Sequence, residues 1–112
     1  MTAHDRRAKE RVGSNEAMFR RINESVETDY SETGFAGLIG FLCECGDSDC
    51  EETIEMTRRE YESVRENARR FAVISDHVFE DTEDIVERHR RYVVVEKHED
   101  VADLAERSDP RG

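Results

Sequence analysis

The chain has 112 residues, enough for one domain built on one modest core. Only 36% is hydrophobic and 40% is charged, with 28 acidic residues against 17 basic ones and a formal net charge of -11. A charge of that sign repels phosphate backbones and anionic lipid surfaces, which argues against nucleic acid and membranes as partners.

So little apolar content lies near the border of disorder. Yet "FAVIS" and "YVVVEK" gather Val, Ile and Phe into short runs that a disordered tail would not need. The chain therefore reads as a folded domain with a thin core, of the kind that small proteins reinforce with disulfides or a metal. The one basic patch, "DRRAKER" with "FRR", lies near the N-terminus and reads as a solvated helix face. Lys9 and Lys97 are the only lysines, a bias towards Arg that fits a high-GC genome or a salt-adapted proteome. No apolar stretch approaches the ~20 residues needed to span a bilayer, and "MTAHDRRAKE" lacks the apolar run of a signal peptide. A cytoplasmic location is expected, where thiols stay reduced.

In chain order, Val12, Phe19, Ile22 and Val26 recur at helical spacing and predict an amphipathic N-terminal helix. Gly13 weakens its start, and Ser14 can cap a shorter version. Residues 1–13 are thus expected to be a frayed or helical extension, and "TDYSETG" a loop. "FAGLIGFLCEC" then turns strand-like in its second half, with Phe41, Cys43 and Cys45 on one side and Leu42 and Glu44 on the other. "GDSD" reads as a turn in which Gly46 takes a positive φ, and "EETIEM" returns as a second strand. Thr57 and Glu60 form a capping box for a central helix that presents Tyr61, Val64 and Ala68, with Glu66 and Arg70 as an i,i+4 pair. "FAVIS", "IVER" and "YVVVEK" read as three more strands, the last two joined by "HRR" as a hairpin. The expected fold is α+β: an N-terminal helix, a small, mainly antiparallel sheet of about five strands, one central helix and a zinc-stapled hairpin. One domain is expected over 14–97, followed by a tail, 98–112, with a short helix through Val101, Leu104 and Ala105 before Pro110.

The chemistry concentrates in "FLCECGDSDCEE". Alternate strand positions put Cys43 and Cys45 on one face, and the turn folds Cys50 back towards them. Three soft ligands at a tight turn suit zinc, which takes four ligands in a tetrahedron and accepts thiolate and imidazole. Of the histidines, His4 lies in the weak helix start, His89 among charges at a hairpin turn, and His98 at the head of the tail. His77, in the loop after a buried strand, is the best fourth ligand. The candidate metal set is therefore Cys43, Cys45, Cys50 and His77 around a structural zinc. This reading is favoured over reduced packing cysteines and over redox or catalytic thiols.

The runs "NEAMFRRINESV", "FLCECGDSDC", "EYESVR", "DHVFEDTEDIVERH" and "YVVVEK", followed by "RSDP", resemble a family of small uncharacterised proteins common in actinobacteria. The resemblance covers most of the chain from Asn15 onward. It implies the same cysteine cluster with a histidine in the corresponding loop, which supports His77. The family's Pro-Gly before that histidine is replaced here by Ser75 and Asp76. It implies no activity.

Glu44, Asp47 and Asp49 are placed to act as a general base, but acidic residues are so frequent that their proximity says little. Three thiolates also oppose acidification of a metal-bound water. No phosphate loop, G-x-S-x-G elbow or H-E-x-x-H motif occurs, so the reading leans against an enzyme. The expected role is a zinc-stabilised protein-interaction or regulatory module with a protein partner. The alternatives are a thiol-based redox sensor that releases zinc on oxidation, and a metal-free domain whose cysteines only pack.

Overall fold

The computed structural model describes residues 3–111. Helix α1 spans Ala3–Ser31 and is followed by β1 (Leu38–Leu42), β2 (Thr53–Thr57), α2 (Arg58–Arg65), β3 (Arg70–Val73), a 3-10 turn (Ser75–His77), β4 (Glu83–Arg88), β5 (Val93–Lys97) and α3 (Ala102–Arg107). The class is α+β. All strand pairings are antiparallel, and the five strands divide into two sheets: β1 with β2, and β3-β5-β4. No described helix is long and apolar enough to cross a membrane.

Helix α1 runs without interruption through Gly13 and Ser14, so Ser14 caps nothing. Leu104 of α3 packs over Gly13, and Val12 lies against Gly46, where an added Cβ would sit 2.2 Å from the valine methyl. That close approach is what Gly46 provides. The positive φ expected there occurs instead at Gly34 (φ 70), just past the end of α1.

The expected apolar stripe of α1 is only partly realised. Phe19 is buried and Val26 packs against the core, but Ile22 is 43% exposed. The residues that α1 buries most completely are Glu16, Arg20 and Asn23, with Glu27 continuing the same face. These four recur at helical spacing and form a polar stripe. Each therefore needs a partner. Arg20 donates to the carbonyls of Ala68 (2.7 Å) and Ala105 (2.7 Å), and its guanidinium lies 4.6 Å from the Phe71 ring centroid. Asn23 receives the Leu42 N–H (2.8 Å) and donates to the Leu42 carbonyl (2.9 Å), continuing the edge of β1 as another strand would. Glu27 accepts from Arg58 at 3.0 Å.

The capping box of α2 forms as expected: Glu60 N–H donates to the Thr57 hydroxyl at 3.1 Å and Thr57 N–H to the Glu60 carboxylate at 2.8 Å. Tyr61 and Val64 are buried from this helix, and the Tyr61 ring stacks on Phe41 at 4.5 Å. Helix α2 ends at Arg65, so Ala68 lies beyond it and Arg70 already belongs to β3. Arg70 pairs across the sheet with Glu96 and Glu87 rather than with Glu66.

Glu16 closes the other end of the α1 interface. The buried Lys97 ammonium donates to Glu16 (2.9 Å), Thr82 (3.0 Å) and Glu83 (3.1 Å), and the second oxygen of Glu16 has no partner. One cation cannot neutralise two buried carboxylates. Burial, with Glu83 beside it, pushes the Glu16 carboxyl well above its usual range, against the pull of Lys97. The native state therefore keeps a proton that the unfolded chain releases above the ordinary carboxyl pKa. Stability from this group is complete below that value and falls as pH rises towards the folded pKa. Glu16→Gln preserves the acceptor for Lys97 and removes the titration. The melting temperature of the variant relative to the parent is expected to rise with pH across the acidic-to-neutral range, measured at identical metal loading.

Candidate metal centre

The site forms where the two sheets meet. Cys43 N–H extends the β1–β2 hairpin by donating to the Glu52 carbonyl at 3.0 Å. The next residue crosses over: Glu44 N–H donates to the Ala72 carbonyl of β3 at 2.9 Å. Cys43 and Cys45 thus lie just past the end of β1 rather than within it, but the expected alternation survives, with the Glu44 side chain turned away to Asn23 and Tyr61. Beyond them, Cys50 N–H closes on the Asp47 carbonyl (3.1 Å), and Asp47 Oδ1 accepts from Asp49 N–H at 2.9 Å. Helix α1 pins this loop through Asn15, whose amide donates to the Gly46 carbonyl at 2.8 Å.

His77 arrives from the other sheet. After β3, Ile74 N–H donates to Cys43 Sγ at 3.3 Å, and His77 N–H closes the 3-10 turn on the Ile74 carbonyl at 2.8 Å. This places His77 Nδ1 3.5 Å from Cys43 Sγ and 3.6 Å from Cys50 Sγ. The three sulfurs and a His77 ring nitrogen all lie within 4.8 Å of one another, and all three cysteines are free thiols. The structure therefore brings together every residue that the spacing suggested for a metal. His89 bonds Glu87 (2.8 Å) and stacks on Tyr92, and His98 pairs with Asp84 (3.1 Å), so both are engaged elsewhere. The His4 side chain lies outside the described residues.

Two features suit the group to a soft cation. A tetrahedral zinc, with bonds of about 2.3 Å to sulfur and about 2.0–2.1 Å to nitrogen, requires sulfur-to-nitrogen edges of about 3.6 Å, close to the two distances observed. In addition, Cys43 Sγ accepts the Ile74 N–H at 3.3 Å, which stabilises thiolate charge. The thiols also titrate together. The neighbouring Cys45 thiol, with burial, pushes Cys43 far up, and the same neighbour effect pulls Cys45 down to about 5. Burial raises Cys50. A bound cation would displace the thiol protons.

Glu44, weighed from the sequence as a base, is fully buried and committed to structure. Its carboxylate accepts from Tyr61 Oη (2.8 Å), Asn23 Nδ2 (3.0 Å) and Ala72 N–H (3.0 Å). Burial raises its pKa and these bonds oppose the rise. Asp47 and Asp49 are exposed on the loop. Asn23 escaped the sequence reading, and Tyr61 was placed on the helix face but not as a donor to Glu44. The signal for Asn23 was the recurrence of polar residues at 16, 20, 23 and 27 on one helical face.

No family model, curated protein or solved structure matches the chain. Its own donor chemistry carries the functional reading. Tyr61→Phe keeps the Phe41 stack but removes one donor from the Glu44 carboxylate, and is expected to cost about 1.5–3 kcal/mol, the range for a hydrogen bond to a charged group. Urea unfolding of the parent and the variant under identical metal loading measures it.

Proposed function

We propose that Cys43, Cys45, Cys50 and His77 hold one structural zinc, and that the protein is a zinc-stabilised protein-interaction or regulatory module of the cytoplasm. The observation that carries this reading is the convergence of three sulfurs and one imidazole nitrogen within 4.8 Å of one another, with two sulfur-to-nitrogen distances of 3.5 and 3.6 Å that match a tetrahedral edge. Four protein ligands fill the coordination sphere and leave no position for a reacting water. Three thiolates also leave the metal with a net negative ligand field, unsuited to Lewis-acid catalysis. A structural role follows from the connectivity as well, since His77 is joined to cysteines 27 and 34 residues away, across the junction of the two sheets.

Protein purified without added metal is expected to carry close to one zinc per chain by elemental analysis. His77→Ala is expected to lose most of it, whereas His89→Ala and His98→Ala retain it. Metal-free folded protein with three titratable thiols would overturn the assignment.

Structural zinc contributes roughly 10–16 kcal/mol of apparent binding free energy in small domains at neutral pH, against a net stability of about 5–15 kcal/mol for an ordinary domain. A strong chelator is therefore expected to lower the melting temperature steeply and to unfold the Cys43–Cys50 loop and the Ser75–His77 turn. Acid is expected to act in the same direction, because protons compete with the metal for thiolate and imidazole as pH falls. Melts followed by far-ultraviolet circular dichroism measure both effects. A redox role is the second reading, favoured by Cys50, which is partly exposed while Cys43 and Cys45 are 1% exposed. Peroxide added in the same melts separates the two: zinc release at low dose supports a sensor, and resistance supports a closed staple.

A further inference from the structure

The outward face of α1 carries two of the exposed large hydrophobic side chains, Met18 and Ile22. At 100° per residue, Arg11, Met18, Ile22, Ser25 and Asp29 fall within an arc of about 60°, opposite the buried stripe of Glu16, Arg20, Asn23 and Glu27. All five are exposed, Met18 by 47% and Ile22 by 43%. Arg11, Arg21 and Asp29 have no ionic partner among the described residues, as is also the case for Arg59, Arg88 and Arg90 elsewhere. The signs are segregated along the helix. Arg11 lies towards one end and Asp29 towards the other, with the two apolar side chains between them.

This pattern complements itself. Arg11 stands seven residues before Met18, and Asp29 seven residues after Ile22. When two copies of α1 lie antiparallel with Met18 of one against Ile22 of the other, Arg11 of each faces Asp29 of its mate, and the small Ser25 lies beside Asn15. These layers follow the alternation of an antiparallel helix pair with its seam at a spacing of three and four residues. A parallel arrangement would set Arg11 against Arg11 and Asp29 against Asp29. We propose that this face of α1 is an interaction surface whose partner is α1 of a second copy of the chain, packed antiparallel about a two-fold axis between Met18 and Ile22.

Four apolar side chains and two ion pairs bury less than the roughly 1,200 Å² of a permanent interface, so the dimer is reversible. The net charge of -11 on each chain opposes approach, and salt screens that repulsion. The surface does not depend on the metal centre, so the proposal stands or falls separately from it.

Sedimentation of the purified full-length protein at physiological ionic strength, from micromolar to millimolar concentration, tests the proposal. The average mass is expected to rise from that of one chain towards that of two. Ile22→Glu is expected to hold the protein at one chain, with an unchanged melting temperature because the position is exposed. Arg11→Asp and Asp29→Arg are each expected to weaken association, and the double variant to recover it. A single-chain mass at every concentration would overturn the proposal, as would a dimer that survives Ile22→Glu. Failure of the double variant to recover would overturn the antiparallel register.

Discussion

The carboxylate of Glu44 sits where every layer of the molecule meets. It is fully buried between two cysteines, and its three hydrogen bonds come from α1 (Asn23), the helix behind the hairpin (Tyr61) and the second sheet (Ala72 N–H). Its own backbone N–H completes the link by donating to the Ala72 carbonyl. An unpaired buried carboxylate is very costly, so this geometry is effectively all-or-none. Once the donors are in place, Cys43 and Cys45 on either side must face away from Glu44, towards Cys50 and His77. The polar network orients the thiols, and the thiols define the candidate metal centre.

The same economy governs the helix packing. A chain with few apolar residues cannot dock a long helix through an oily stripe alone, and α1 buries Glu16, Arg20, Asn23 and Glu27 instead. Each meets a partner on a different element: Lys97 on β5, the carbonyls of Ala68 and Ala105, the backbone of Leu42, and Arg58 on α2. Such contacts contribute less net stability than apolar burial, but they are directional and select one docking geometry. Their cost is visible at Glu16, where a second buried carboxylate faces a single ammonium. A thin core held by oriented polar contacts gains much from a metal that joins both sheets at one point.

Much of this was legible in the sequence. The capping box at Thr57 and Glu60 marked a helix start because both groups act within one turn of chain. "FAVIS", "IVER" and "YVVVEK" marked strands because β-branched runs suit a pleated, buried surface. The cysteine spacing brought three sulfurs together because a tight turn leaves them nowhere else to go, and His77 followed from its place after a buried strand. These features depend on neighbours close in the chain or on side-chain period alone.

What only the tertiary structure decided involves partners far apart in sequence. Five strands divide into two sheets, and the backbone bond from Glu44 to Ala72 links them, an arrangement that no local pattern encodes. The buried face of α1 was misjudged at Ile22 because hydrophobic period assumes that apolar residues point inward, and here Arg20 and Asn23 find carbonyls 19 to 85 residues away that repay their burial. Gly46 was read as a turn glycine, whereas its lack of a side chain serves the approach of Val12 from another element. Local chemistry determined which elements form and which atoms can bind a metal. Long-range hydrogen bonding determined how those elements dock, because the value of a buried polar group is set wholly by the partner that the fold brings to it.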